Sequence, residues 1–366
     1  MAPQDKKSRP VASFEIHYSQ VLNPMGELVK PLPYFAHEPN ALVELYQQMV
    51  RTRVFDLKVV ALQRTGKMGT YAPNLGQEAI GVGIGHAMKA EDVLLPTYRE
   101  VGAQLMRHVT MKEIMLYWGG DERGMAFENQ PHDFPIAVPI ASQVPHAAGV
   151  AYAMKLRKEP RVAVVTLGDG ASSKGDFYEA LNAAGAWHLP LVFIVTNNHW
   201  AISVPRKTQT AAETLAQKGI AAGVPGKQVD GNDVIAVRHC IGKAIEQARQ
   251  GGGPSLIEPL TYRMGDHTTA DDASRYRSNE ELEEYKRFDP ISRMRTYLES
   301  AGIWSQQKED ELNSACSSEV EASVQAYLNT PPQAPESMFD DLYAELPRPY
   351  QTQRNELLEL LNKGGK

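Results

Sequence analysis

"VVTLGDGASSKGDFYEALNAAGAWHLPLVFIVTNNHWAIS", residues 164–203, holds two apolar runs that stop abruptly, one at Gly-Asp-Gly and the other at Asn-Asn. Arg161 to Leu167 has the β-branched, apolar character of a buried parallel strand. Gly168 and Gly170 let a ligand approach the backbone and leave its N–H groups unobstructed. Asp176 to His188 has helical spacing, with Phe177, Leu181, Ala184 and Trp187 on one face. Leu191 to Val195 reads as the next strand. Strand–helix–strand crossovers are almost always right-handed, so the two strands run parallel and Asp169 and Asn198 emerge at the same C-terminal edge. Ligands of open α/β sheets bind at that edge. A carboxylate and an amide oxygen, both hard donors, suit magnesium, which shares its remaining positions with phosphate oxygens and water. The stretch therefore predicts a metal-bridged diphosphate site. Taken singly, Gly-Asp-Gly reads as a tight turn and Asn-Asn as a turn with a helix cap. Their pairing across one crossover helix carries the chemistry.

Outward from this unit, strands and helices keep alternating. Leu42, Leu45, Met49, Val54, Leu57, Val60 and Ala61 recur at helical spacing over Ala41 to Arg64, and Gly66 and Gly69 end that helix. "LGQEAIGVGIGHAMK" mimics a nucleotide-binding glycine run, but His86 stands at its next fingerprint position and no strand leads into it. It reads better as a tightly packed helix of small residues. "DVLLPTYRE" is a short strand running into a loop at Pro96. Residues 119–139 are loop-like, and "ASQVPHAAGVAYAMKL" is a small-residue helix suited to packing on a sheet. "AAETLAQKGIAAG" is amphipathic. "GKQVDGNDVIAVRHCIGKAIEQARQ" reads as strand, turn, helix, and "GGGPSLIEPLTYR" as turn then strand. Residues 265–278, GDHTTADDASRYRS, form a polar loop too long for a simple connector. The fold class is α/β, a mostly parallel sheet with helices on both faces. The domain reading is an N-terminal arm over 1–37, extended or partly disordered, an α/β domain over 38–280, and a C-terminal helical section over 281–366 packed on the same domain.

Composition narrows the class further. The 366 residues are 42% hydrophobic and 22% charged, with a formal net charge of −6. Nothing in that balance points to nucleic acid. The two cysteines, Cys240 and Cys316, lack the close spacing of a zinc or redox motif, and a reducing compartment fits them. The first residues hold no apolar signal segment, and no stretch is long enough to span a bilayer, so the expected location is the cytoplasm. No pair among the ten histidines has convincing transition-metal spacing, and there is no internal repeat.

Gly-Asp-Gly followed about 25 residues later by Asn-Asn is the signature of thiamine diphosphate enzymes. The surrounding "GDFYEALNAAGAW" and "NNHWAIS" resemble the alpha subunit of the heteromeric 2-oxo acid dehydrogenases, the decarboxylating components of the pyruvate and branched-chain complexes. "YAPNLGQEA", "LPTYRE", "QTAAETLAQKGIAAGVPGKQVDGND", "GDHTTADDASRYRS" and "FDDLYAELP" look like family segments in family order, covering roughly residues 20–345. The resemblance implies a thiamine diphosphate-binding fold. It implies magnesium held by Asp169, the Asn198 side chain and the backbone carbonyl of Trp200. Gly168, Gly170 and Ala171 would line the diphosphate, and Tyr98 and Arg99 would hold it. Val138 and Ile140 would contact the aminopyrimidine, with Ile140 propping the bent cofactor. Ser142 and Gln143 match a potassium-binding segment of some relatives. His267 matches an active-site histidine near the reactive thiazolium carbon.

Three departures stand out. Thr196 replaces an arginine that reaches the diphosphate in some branched-chain relatives. Val138 replaces a serine, and Thr268 sits where mitochondrial relatives carry a kinase-regulated serine. Tyr276 and Arg277 either contact the histidine loop or anchor it to the surface. The chain shows no second α/β half, so the carboxylate that activates the aminopyrimidine is implied to be a glutamate of a separate beta subunit. That implies an α2β2 heterotetramer, a site at its interface, and a lipoyl-bearing acyltransferase as acyl acceptor. The implied reaction is oxidative decarboxylation of a 2-oxo acid, leaning to pyruvate. Alternatives are a branched-chain 2-oxo acid (3-methyl-2-oxobutanoate) dehydrogenase, an acetoin dehydrogenase, and a non-catalytic diphosphate-binding scaffold.

Overall fold

The computed structural model describes residues 10–340 and 342–364. Residues 1–9 of the expected arm, Asp341 within "FDDLYAELP", and residues 365–366 lie outside it. The strands are β1 (Tyr18–Ser19), β2 (Val93–Leu95), β3 (Ala163–Gly168), β4 (Leu191–Thr196), β5 (Trp200–Ala201), β6 (Val204–Pro205), β7 (Gly226–Asp230) and β8 (Ser255–Leu260). Six of them form one sheet in the order β1-β7-β8-β4-β3-β2, every pairing parallel. β5 and β6 make a separate antiparallel hairpin.

The first half of the chain contributes helices α1 (Pro39–Arg64), α2 (Glu78–Ala87), α3 (Val101–Met106), α4 (Met111–Trp118), α5 (Gln143–Leu156) and α6 (Gly175–Trp187). α7 (Arg206–Gln209), α8 (Val234–Arg249), α9 (Asn279–Lys286), α10 (Pro290–Ser300), α11 (Gln306–Leu328) and α12 (Arg348–Gly364) follow. One compact unit ends at Val324. A second begins at Gln325 and contains a 3-10 turn at Pro335–Phe339 and α12.

The two-residue period of a strand splits the core into two layers. Val164, Val192 and Ile194 join the cluster that α1, α2, α8 and α10 cover. Ala163, Val165, Leu167, Leu191, Phe193 and Val195 join the cluster under α5 and α6. Burial on both faces is why β3 and β4 read as continuous apolar runs. The glycines of α2 serve close packing, as the small-residue reading expects. A methyl group at Gly83 would stand 2.7 Å from Val237 Cγ1 of α8, and one at Gly85 2.4 Å from Met106 Cβ of α3.

Two features add to the sequence reading and one differs from it. The N-terminal arm supplies the edge strand β1, and the Asp233 carboxylate at the start of α8 fastens it. Asp233 Oδ2 accepts from the N–H groups of Val21 (2.6 Å) and Leu22 (2.7 Å), while Oδ1 caps Ile235 and Ala236. Within "AAETLAQKGIAAG" the chain makes only a 3-10 turn, Ala216–Ala222, ended by Gly223 at φ 67°. Gly219 there lies so close to the Val224 carbonyl that a methyl group would meet it at 2.5 Å. Trp187, expected on the buried face of α6, is 53% exposed, because the helix ends there with His188 in the left-handed conformation. Its ring packs on Tyr152 of α5 instead, with centroids 5.2 Å apart.

Candidate functional site

In the β3–β4 ladder Gly168 sits opposite Thr196, so Asp169 and Asn197-Asn198 leave the sheet side by side at its carboxyl edge. A cavity of about 300 Å³ opens there. Its wall includes Tyr98, Arg99, Ile140, Gly168, Asp169, Gly170, Ala171, Asn198, Trp200 and His267. Ten of the eleven residues singled out from sequence thus surround one space. Val138, the eleventh, is not on the wall and is 56% exposed. Gln143 lines the cavity, whereas Ser142 does not, and its hydroxyl donates to the Pro139 carbonyl at 2.8 Å.

Asp169 is 3% exposed. Burial pushes its carboxyl up to about 6, against backbone N–H groups and Gln209 Nε2 (3.3 Å), which pull the other way. Among the described residues it has no salt-bridge partner. Asn198 Nδ2 donates to Gln77 Oε1 at 3.2 Å, and Asn198 Oδ1 accepts from the Trp200 N–H at 3.3 Å. Gln77 therefore fixes which way the Asn198 amide points. Asn197 faces elsewhere, with its Nδ2 on the buried Glu258 at 2.8 Å.

Other sequence-distant groups complete the wall. Arg263, 1% exposed, donates from Nη1 to the Trp200 carbonyl (3.2 Å) and from Nη2 to the Ile202 carbonyl (2.7 Å). These bonds hold the β5–β6 hairpin, whose Ala201 lies where a methyl group on Gly170 would sit, at 2.7 Å. Ile202 stands at φ 55°, a left-handed position that costs a β-branched residue about 1–2 kcal/mol. Glu100 lines the cavity too, its carboxyl raised to about 7 by burial. Gln77, Glu100, Lys174 and Arg263 escaped the sequence reading. Gln77 and Glu100 lie inside the quoted "LGQEA" and "TYRE" segments, which was the available signal.

The Arg99 guanidinium does not project freely into the cavity. It donates from Nη1 to the Pro73 carbonyl (2.6 Å) and from Nη2 to the His267 carbonyl and to His267 Nδ1 (3.0 Å). Burial lowers Arg99 to about 10, still cationic at neutral pH. Burial first, then Arg99 and Arg263, depress His267 to about 4, so its ring is neutral. An arginine can only donate, so Nδ1 carries the lone pair and Nε2 the proton. His267 thus presents one N–H donor beyond the arginine. Its loop is cross-braced. Asp271 Oδ2 accepts from the His267 N–H (2.8 Å) and from the Tyr276 hydroxyl, and Arg277 donates to the Arg263 and Met264 carbonyls. Tyr276 and Arg277 therefore brace the histidine loop.

Among the described residues four buried side-chain atoms of the wall lack a partner: Gln77 Nε2, Gln143 Oε1, Thr196 Oγ1 and Arg263 Nε. A buried polar atom left unsatisfied costs about 1–3 kcal/mol, so this wall is built for a polar occupant. Asp169, Asn198 Oδ1 and the Trp200 carbonyl are an all-oxygen set of the hardness magnesium prefers. At Gly168 nothing lies within 4 Å of where a methyl group would stand, which leaves the backbone bare where a diphosphate would lie, while Gly170 makes room for Ala201. The residues present fit a magnesium-bound diphosphate cofactor.

Fold and site define the class as an open parallel α/β protein with an anion- and metal-suited cavity at the carboxyl ends of two neighbouring strands. Residues 46–336 match the family model for the dehydrogenase E1 component. Over 332 residues the chain is 41% identical to the pyruvate dehydrogenase E1 component subunit alpha of Staphylococcus epidermidis, covering 90% of this chain and 89% of that protein. It is equally similar, over the same shares, to the subunit of that description from Staphylococcus aureus strain Mu50. The chain belongs to the dehydrogenase E1 component family. No helix among the described residues is long and apolar enough to cross a membrane.

Proposed function

We propose that the chain is the alpha subunit of a 2-oxo acid dehydrogenase that binds thiamine diphosphate through magnesium in this cavity. With a beta subunit it oxidatively decarboxylates a 2-oxo acid, pyruvate first among them, and passes the acyl group to the lipoyl group of an acyltransferase. The observation that carries the reading is the meeting of Asp169, Asn198 and His267 on one cavity wall at the carboxyl edge of β3 and β4. The relatives named above support pyruvate as the substrate.

When bound, thiamine diphosphate supplies the electron sink that decarboxylation of a 2-oxo acid needs. Asp169, Asn198 Oδ1 and the Trp200 carbonyl would hold magnesium. The backbone of Gly168, Gly170 and Ala171 would cradle the diphosphate, with Tyr98 beside it. Arg99 acts from one layer back, adding positive charge and orienting the His267 ring. Ile140 would support the aminopyrimidine, and Val138, exposed and off the wall here, would meet the same ring. The His267 Nε2–H would donate to an oxygen that gains negative charge during acyl transfer, the role its neutral state favours over that of a base. The activating glutamate belongs to the beta subunit, in an α2β2 assembly. Two buried free cysteines accord with a cytoplasmic location.

Co-expression with the beta subunit and a ferricyanide assay over several 2-oxo acids tests this reading. Turnover should require both chains, thiamine diphosphate and magnesium, and be fastest with pyruvate. A loaded assembly that turns over no 2-oxo acid refutes it. Preference for 3-methyl-2-oxobutanoate or for acetoin would move the substrate assignment. His267→Ala should keep cofactor affinity within a few-fold and cripple lipoyl acylation, and an unchanged acylation rate would reject the histidine's role.

A further inference from the structure

A backbone carbonyl is placed only by what holds its chain, and the chain at Trp200 holds itself poorly. β5 and β6 pair through two residues each and join no larger sheet, a ladder that is marginal on its own. The turn between them carries the strained Ile202. Arg263 secures the carbonyl side of this hairpin. A second hold comes from the indole of Trp200, which is 8% exposed and lies 5.4 Å from the Tyr276 ring.

That indole ends on α9. Trp200 Nε1 donates to Glu281 Oε1 at 3.3 Å, and the same oxygen accepts from the Tyr262 hydroxyl at 2.8 Å. One turn further along α9, Tyr285 stacks on Tyr262 with centroids 3.9 Å apart and lies 5.4 Å from the His199 ring. The Ser278 hydroxyl accepts from the Glu281 N–H and starts the helix at this point. One carboxylate oxygen therefore ties residue 200 to residue 262, the neighbour of the arginine that grips the Trp200 carbonyl.

We propose that Glu281 is a positioning residue for the metal site, setting the Trp200 carbonyl through the indole. The inference rests on the magnesium reading above. Glu281 touches no ligand itself and acts through Trp200. Partners bonded directly to a ligating side chain change metal affinity by about 10- to 100-fold when removed, and Glu281, one step further out, belongs at the lower end.

The test is calorimetric titration of magnesium into the α–β assembly in the presence of thiamine diphosphate. Glu281→Ala should weaken magnesium binding about tenfold. Glu281→Gln should stay within about twofold, since its amide oxygen still accepts from the indole; this separates the hydrogen bond from the loss of charge. Trp200→Phe alone should weaken binding to the extent that Glu281→Ala does, and adding Glu281→Ala to it should cost little more. Unchanged affinity in Glu281→Ala overturns the proposal, and so does a full tenfold loss on top of Trp200→Phe. If Glu281→Ala does not fold, normal affinity in Trp200→Phe overturns it equally. An unsubstituted assembly that binds neither magnesium nor thiamine diphosphate refutes the cavity assignment and removes this inference with it.

Discussion

Asp169→Asn is the most informative perturbation of the cavity, because the structure gives both its sign and its size. Burial raises the Asp169 carboxyl from 3.8 to about 6, outweighing the backbone N–H groups and the Arg263 charge that pull it down. A folded value above the unfolded one means that the group's stabilising contribution is present below pH 3.8 and is lost as pH rises through about 6. Each pK unit is worth about 1.4 kcal/mol, so an ionised Asp169 should destabilise the metal-free protein by about 3 kcal/mol at pH 7.5 and about 1 kcal/mol at pH 4.5. Asparagine keeps an oxygen for the same N–H donors and carries no charge. Asp169→Asn should therefore raise the stability of the metal-free assembly by an amount that grows from pH 4.5 to about 6.5 and is flat above. Stabilisation on removing a buried functional charge is a common trade against activity. Denaturant unfolding without metal across that pH range measures it. Magnesium with thiamine diphosphate should then stabilise the unsubstituted protein and leave the variant unmoved. A stability gap of equal size at pH 4.5 and 7.5, or no gap, refutes the reasoning.

The two adjacent asparagines should separate cleanly. Asn198→Ala should weaken magnesium binding by tenfold or more, whereas Asn197→Ala should destabilise the fold by about 1–3 kcal/mol by taking the donor from Glu258 Oε1 and leave metal affinity nearly intact; paired calorimetry and unfolding measurements check both. His267, depressed to about 4, is neutral throughout pH 5–8, so the acid limb of the rate profile should not arise from it. Because its folded value lies below the unfolded one, its contribution to stability is complete above about 6.5 and is lost as pH falls toward 4. His267→Asn should therefore flatten the stability profile in that window, as measured by unfolding midpoints. Ile202→Gly relieves the left-handed backbone and should raise unfolding stability by about 1 kcal/mol, with weaker cofactor binding as the hairpin loosens, read by calorimetry.

Much of this site is legible in one forty-residue stretch. β-branched runs at 161–167 and 191–195, a helical pattern between them and the handedness of the crossover place Asp169 and Asn198 at one sheet edge. All of these are local patterns, recorded in the order of neighbouring residues. Less visible is which asparagine faces the cavity by hydrogen bonding, because Gln77 and Glu258 decide it from 121 and 61 positions away. The same holds for Arg99, which reads as a free fork for a diphosphate. In the folded chain it is spent on Pro73 and on His267, 168 positions distant.

By itself, then, the amino-acid order determined the parallel α/β architecture, the family and the oxygen donors gathered at the strand ends. The architecture and the donors follow from periodicity, from glycine's backbone and from side-chain chemistry, each a property of a residue and its near neighbours, and the family follows from the resemblance of whole segments. Folding decided the rest: the arm as an edge strand, the tautomer of His267, the grip of Arg263 on the Trp200 carbonyl and the anchorage of the indole on Glu281. These are pairings between remote segments. A hydrogen bond depends on separations in space that residue spacing along the chain does not encode.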